Sequence, residues 1–362
     1  MLRIPRPVFF LAAVFLALAG CGGSQNGIPA GRGKFTPLSD LAGGAFDSDA
    51  YAVSADGQTI VGYATGSGGI EAFRWTEATG MVGLGDLLGG ESSSLAWGIS
   101  PDGSTITGFG HDASGELAIR VTAGAMSSLG DFTGGETESY GYGVSQDGSV
   151  IVGYGSTPEG VEAFRWTATT GLVSLGDLGG GAHDSRAYGC SPDGNVVVGW
   201  ANSAQGEEAF IWRASTGLIG LGDLPGGVFH SRAYAVSANG STIVGWGSSS
   251  RGEEPFRWTA SEGLVSLGDI PGGKFECHAY AISPDGTLIT GSGRTGLLAE
   301  AFLWRADLGM INLRQYAQAQ GVTGLEGWTL HTGNGISANN KVIVGYGTNP
   351  RGNSEAYRLE LP

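Results

Sequence analysis

A block of about 46 residues returns seven times along this chain, and that period limits the fold before any residue is read for chemistry. Leu-Gly-Asp-Leu or a near copy starts at Leu38, Leu84, Leu129, Leu175, Leu221 and Leu267, with a weaker counterpart at Leu313, at spacings of 46, 45, 46, 46, 46 and 46. A Ser-x-Asp-Gly signature keeps the same step from Ser54, Ser100, Ser145, Ser191, Ser237, Ser283 and Ser337, with Asn239, Asn339 and Asn340 as substitutes. An Ile-Val-Gly-Tyr type starts at Ile60, Ile106, Ile151, Val197, Ile243, Ile289 and Ile343. A Glu-Ala-Phe-Arg-Trp-Thr type starts at Glu71, Leu117, Glu162, Glu208, Glu254, Glu300 and Glu355. Repetition on this scale means that one supersecondary unit is stacked on its neighbours.

Each unit reads as four short strands. Residues 50–54 alternate small with large, Asp56-Gly57 is a strong hairpin signal, and residues 59–63 form the next strand. In Ala72-Phe73-Arg74-Trp75-Thr76 the aromatics share one face, which is period 2 rather than 3.6. Residues 81–87 complete the unit. Four-stranded units of this length mark propeller blades, whereas most solenoid repeats are shorter. The expected fold is all-β, a seven-bladed β-propeller of four-stranded blades. The chain starts with a fourth-strand segment, residues 35–41, and stops after a third-strand segment, residues 355–361. The two ends therefore complete one blade, closing the ring by a 1+3 overlap of N- and C-terminal strands. An open solenoid is the competing architecture, and it would leave sheet edges unpaired. The last unit also carries an insertion in which residues 314–320 read as a short helix stopped by Gly321. Two readings of it are open, a cover for the seam between the termini and a lid over the channel.

Composition agrees. The chain has 68 Gly in 362 residues and only 15% charged residues, yet nine Trp, 11 Tyr and 14 Phe offer too much apolar surface for a disordered chain. Formal net charge is −15, and Arg3 and Arg6 are the only charged residues among the first twenty, so the rest is more acidic still. Nucleic acid is excluded as a partner on that field.

Residues 1–20 read as a lipoprotein signal peptide: Arg3 and Arg6 precede an apolar run from Val8 to Leu18 that is too short to span a bilayer. The run ends in Leu18-Ala19-Gly20-Cys21, which resembles a bacterial lipobox. That resemblance makes Cys21 the acylated first residue of an exported chain, anchored to the membrane through its lipid. Gly22, where a retention signal would have Asp, points to the outer membrane or cell surface. Residues 21–33 form a flexible tether and residues 34–362 the repeat domain. Cys190 and Cys277 lie in the fourth and sixth repeats with a whole unit between them, so free thiols are expected rather than a disulfide.

The strings at residues 171–178 (Gly-Leu-Val-Ser-Leu-Gly-Asp-Leu), 191–194 (Ser-Pro-Asp-Gly), 196–199 and 208–212 (Glu-Ala-Phe-Ile-Trp) resemble the probable extracellular repeats of the HAF family, named for a His-Ala-Phe tripeptide. Here Glu stands in place of that His, so no role of the His carries over. The resemblance covers residues 35–361 and implies a repeat-built, exported protein of the bacterial cell envelope, with no agreed chemistry.

No enzyme fingerprint emerges. Gly291-Ser292-Gly293-Arg294-Thr295-Gly296 matches G-x-G-x-x-G but sits between strands with no helix after it. The repeated Asp40, Asp86, Asp131, Asp177, Asp223 and Asp269 lie on successive units and cannot converge on one ion, so turn or cross-blade hydrogen bonds are expected. Variation gathers between the fourth strand of one unit and the first of the next, read as loops: AFDSD, ESSSL, ETESY, AHDSR, VFHSR and KFECH. The position five before each signature Ser runs Asp49, Leu95, Tyr140, Arg186, Arg232, His278 and Thr332. In a closed ring these face one mouth, where Arg186, Arg232 and His278 would form a cationic arc beside His230, Asp49 and Tyr140, the candidate ligand-binding residues. Cys277, His278 and His230 have zinc-ligand chemistry, but two loops are too few for that spacing, and neither metal nor cofactor is expected. The function expected is a monomeric surface binding or scaffold module for a glycan or protein, not an enzyme. Two alternatives stand beside it, a secreted propeller enzyme acting on polysaccharide and a purely structural envelope component.

Overall fold

A computed structural model describes residues 33–362; the leader, Cys21 and nearly all of the expected tether lie outside the described residues. The fold is all-β and propeller-like. Its strands join into sheets of 13, 12 and four, but the antiparallel ladders fall into groups of four consecutive strands, except in the last group, which the first strand of the chain joins. The first group is Gly43–Val53, Ile60–Gly66, Gly69–Thr76 and Gly80–Gly83. Neighbouring groups touch through single parallel bridges such as Ile70 with Ser93 and Val161 with Asp184.

Two features of the repeat explain the local geometry. The signature Ser folds the turn after the first strand: Ser191 Oγ donates to Asp193 Oδ1, and Asn195 N and Val196 N donate back to Asp193 and Ser191. Gly57 takes φ +75°, and in the last unit Asn340 takes its place at φ +61°, the left-handed geometry that Asn tolerates best after Gly. The Gly of Ile-Val-Gly has a different cause, close approach. A Cβ on Gly199 would lie 1.9 Å from Arg186 O, and on Gly153 1.8 Å from Tyr140 O. The second strand is pressed against a bulge in the first, between Ala187 and Gly189 in this unit.

The core lies between adjacent groups. Val150, Val152 and Ala163 of the third pack with Ala187, Val197 and Phe210 of the fourth. The Phe of the Glu-Ala-Phe signature is fully buried at Phe73, Phe164, Phe210, Phe256 and Phe302. A buried hydroxyl ties five of the seams. Ser231 Oγ donates to Gly222 O at 2.6 Å and accepts from Ala209 N at 3.0 Å, and Ser48, Ser94, Ser139 and Ser185 do the same.

The chain ends pair. Lys34–Pro37 lies antiparallel to Ser354–Glu360, with Phe35 opposite Leu359, and Ser354 also bridges to Asp47 of the first group. The helix Leu313–Ala319 is capped by Asn312, whose side chain accepts from Gln315 N. Its buried Leu313 and Ala317 pack with Phe35, Trp328 and Leu359. It covers the seam between the termini, the first of the two readings. No helix among the described residues is long and apolar enough to cross a membrane. Cys190 and Cys277 are free thiols.

Two strand boundaries differ from expectation. Strand structure starts at Gly43, Gly89, Gly180 and Gly226, so in those units the variable segments read as loops are strand. The Asp of Leu-Gly-Asp-Leu and the buried Ser hold the segment extended: Asp223 accepts from Leu224 N and His230 N, clamping both ends of the connection that leads to Ser231. This is the hydrogen-bonding role expected for the repeated Asp. The fourth strand is shorter than residues 81–87, ending at Gly83, because Gly85 at φ +74° turns the chain away.

Candidate ligand-binding mouth

The first strand of each group presents side chains in tiers. Nearest the signature turn are apolar residues such as Val53, Ile99, Val144 and Val236, with Cys190 among them. Burial pushes the Cys190 thiol up to about 12, so it is no nucleophile at neutral pH. The next tier, three residues before each signature Ser, is Tyr51, Trp97, Tyr142, Tyr188, Tyr234, Tyr280 and Asn334. These residues line a central cavity of about 400 Å³ together with Asp49 and Thr332. Trp97 stacks on Tyr142 with centroids 4.3 Å apart and planes 5° from parallel, and Tyr142, Tyr188, Tyr234 and Tyr280 follow in edge-on or tilted contact.

The third tier combines the sequence candidates with the aromatic position that follows Ile-Val-Gly on the second strand. Strand register sets Arg186 opposite Trp200 and Arg232 opposite Trp246. The Arg186 guanidinium lies over Tyr154 at 4.7 Å and Trp200 at 5.3 Å; that of Arg232 lies over Trp200 at 4.6 Å and Trp246 at 5.9 Å. His278 then stacks on Trp246 at 4.7 Å. Cations and rings therefore alternate along three consecutive groups as a ladder, each guanidinium held between two π faces.

The ladder brings Arg186, Arg232 and His278 to one mouth, as the sequence placed them, but it is not a free cationic arc. Arg186 Nε donates to Asp184 at 3.0 Å and Arg232 Nε to Glu207 at 2.8 Å. Burial opposes both guanidinium charges, yet these carboxylates raise both pKa values. His278 is held by Glu253 at 2.8 Å, but burial outweighs that carboxylate and lowers its pKa below the usual histidine value. The physical reason for the difference is the parallel contact between groups, which sets Glu207 beside His230 and Glu253 beside Glu276. Glu207 and Glu253 thereby reach Arg232 and His278 of the next unit, whereas Asp184 pairs with Arg186 on its own strand.

His230 packs edge-on to Trp246 at 4.6 Å and bonds Glu207 at 2.7 Å. Tyr140 packs among Trp97, Phe109 and Tyr154 and donates its hydroxyl to Glu116 and to Glu138. Asp49 is on the cavity wall, 8% exposed, accepting from Asn334 Nδ2 at 3.0 Å. Burial holds its carboxyl well above the usual carboxylate range, and repulsion from Asp47 adds to that. Cys277, His278 and His230 do not converge, since Cys277 Sγ donates to Asp269 while the two histidines engage different glutamates. Among the described residues no three His, Cys, Asp or Glu side chains cluster as a metal site requires.

The inner aromatic ring escaped the sequence reading. Its signal was present as an aromatic three before the signature Ser in six of seven units. Strand alternation absorbed it, because a large residue there is also what a core-facing strand position would hold.

No family model matches the chain, and no curated protein matches it in sequence. Solved structures match in fold. An oligogalacturonate lyase from Vibrio parahaemolyticus superposes with a TM-score of 0.57 at 11% identity, over 91% of this chain and 93% of that one. An oligogalacturonate lyase in complex with manganese gives 0.52 at 13%, over 91% and 98%. A TolB from Acinetobacter baumannii gives 0.47 at 13%, over 72% of this chain, which spans only 61% of that structure. At these identities the likeness is one of fold.

Proposed function

We propose that the chain is a HAF-type repeat protein whose seven four-stranded groups close into a propeller ring, with residues 34–37 completing the last blade as its outer strand. In this reading it is exported, anchored through an acylated Cys21 to the outer membrane or cell surface, and acts as a binding module for a glycan. The supporting observation is the tiered mouth: six aromatic residues line a cavity at the ring centre, with polar Asp49, Thr332 and Asn334 on one side. Aromatic faces paired with a few polar groups suit sugar rings, which have an apolar C–H face and a hydroxyl edge.

An array of cell-wall and plant polysaccharide fragments, probed with the wild type and with Trp97→Leu, tests this. Binding of at least one oligosaccharide that Trp97→Leu weakens about ten-fold, on the order of 1.4 kcal/mol, is the expected result. Binding to nothing, or equal binding by both proteins, overturns it.

A second reading, a polysaccharide-cleaving enzyme, draws on the fold likeness to the oligogalacturonate lyase from Vibrio parahaemolyticus. Incubation of the array hits with the protein separates the two, since cleavage leaves new chain ends that binding does not.

A further inference from the structure

The central cavity has two unlike walls. One is Trp97, Tyr142, Tyr188, Tyr234 and Tyr280 in unbroken contact, with consecutive centroids 4.3, 5.0, 5.2 and 5.6 Å apart. The other is Asp49 with Asn334 and Thr332. No ion pair among the described residues includes Asp49, and its one side-chain donor is the neutral amide of Asn334.

A buried carboxylate without a cation is costly, and the frame does not require one. The same strand position is Leu95 in the second unit and Tyr140 in the third, so an apolar or aromatic residue serves the fold equally well. The titratable groups facing Asp49 are Asp47 on its own strand, Tyr51 and Tyr63 in its own sheet, Tyr346 and Tyr357 in the last sheet, and Tyr280 across the cavity. All are acids. The two guanidiniums of the ladder do not change this, because Arg186 and Arg232 already carry Asp184 and Glu207. An anionic ligand would find no unpaired cation there, and a cationic one would find π faces opposite a carboxylate.

We infer that this cavity takes the ammonium group of an amine-bearing ligand, with the aromatic wall supplying cation–π contacts and Asp49 the counter-charge. Aromatic cages recognise ammonium groups by this combination. The inference rests on the reading of the mouth as a ligand site and specifies what that ligand carries. An amino sugar with a free amine satisfies both the aromatic stacking and the charge; a small quaternary ammonium satisfies the charge alone. Burial favours the protonated carboxyl of Asp49 and a captured ammonium favours the ionised one, so binding expels a proton to buffer over the pH range in which the two differ.

Calorimetry distinguishes these sources. Glucosamine oligomers, their fully N-acetylated counterparts and choline are titrated into the wild type and Asp49→Asn at mildly acidic pH, in two buffers of different ionisation enthalpy. The expected result is that the free-amine oligomer binds at least about ten-fold more tightly than the acetylated one. Its binding releases protons, and Asp49→Asn loses both the preference and the release. Asp49→Asn replaces the ionisable carboxyl with an amide of the same shape, and its thermal melt shows that it is folded. Equal binding of free and acetylated oligomers overturns the ammonium inference and leaves the glycan reading standing. Choline binding without any oligomer binding supports the ammonium site and removes the glycan. Binding of no probe, or an unchanged preference in Asp49→Asn, overturns the inference.

Discussion

The two ends of the first strand in each group behave differently. At the turn end Ser-x-Asp-Gly or its Asn variant recurs in all seven units, and the Ser hydroxyl donates each time to the side-chain oxygen two residues on, from Ser54 with Asp56 to Ser337 with Asn339. At the mouth end, five residues earlier, the side chain runs from Asp49 through Leu95 to Arg186 and His278. One end is set by backbone demands, which repeat because the backbone repeats. The other is free of them, and difference there reports on what meets the protein. The lesson is that variation confined to one tier marks the positions the frame leaves free, beside which the proposed binding cavity lies.

That contrast can be broken at its frame first. Deleting residues 34–41 strips the strand that pairs with Ser354–Glu360 and removes Phe35 from its cluster with Trp328 and Tyr357. The truncated domain is expected to lose more than the about 3 kcal/mol of a Phe35→Ala change and to aggregate through the freed edge. Denaturant melts compared with the wild type check it, and equal midpoints would show that the pairing does not hold the fold. Next in size is Gly199→Ala. Its Cβ must displace a backbone carbonyl 1.9 Å away, at a cost of about 3 kcal/mol. Ser231→Ala comes third, expected to cost about 2 kcal/mol by urea titration, because it leaves Ala209 N without its acceptor at a buried seam.

Changes at the mouth should leave the frame almost untouched. Arg186→Ala combined with Arg232→Ala removes two partly exposed ion pairs, worth about 1 kcal/mol or less of stability, while glycan affinity falls because the ladder loses its rungs. Equal glycan binding by wild type and double variant would reduce the ladder to a solvated rim. Asp49→Asn is the smallest, and its sign follows from burial. The raised carboxyl keeps its proton in the folded protein at pH values where the unfolded chain has released it, above about 3.9. Asp49 therefore contributes stability that declines as pH rises through its folded pKa, and a melt-versus-pH series should show that decline reduced in the variant.

How far the sequence could be read follows the same division. The repeat, the four strands of each unit and the pairing of the terminal segments were legible because each leaves a local signature: period 2, a turn Gly, or a truncated unit at either end. The left-handed Asn340 was legible for the same reason. The strand starting at Gly43 was not, because its extended form comes from Asp40 clamping Leu41 N and Asp47 N and from a hydroxyl buried against the neighbouring sheet, contacts that a single unit does not reveal. The structure brings Arg186, Arg232 and His278 together and gives each a carboxylate partner, of which only Asp184 stood near in sequence. Arg232 and Glu207 lie 25 residues apart, and only the parallel contact between sheets brings them together.

The claim that the turn serves the frame and the cavity-lining tier serves binding is tested most directly by measuring binding and melting on one variant from each. Asp193→Ala unmakes a turn, and Trp97→Leu keeps an apolar side chain but removes a π face from the cavity. The account predicts that Asp193→Ala lowers the melting midpoint and binds the tightest oligosaccharide of the array as the wild type does, whereas Trp97→Leu loses about ten-fold in affinity. Binding that falls with stability in both variants, or that survives in Trp97→Leu, would contradict it.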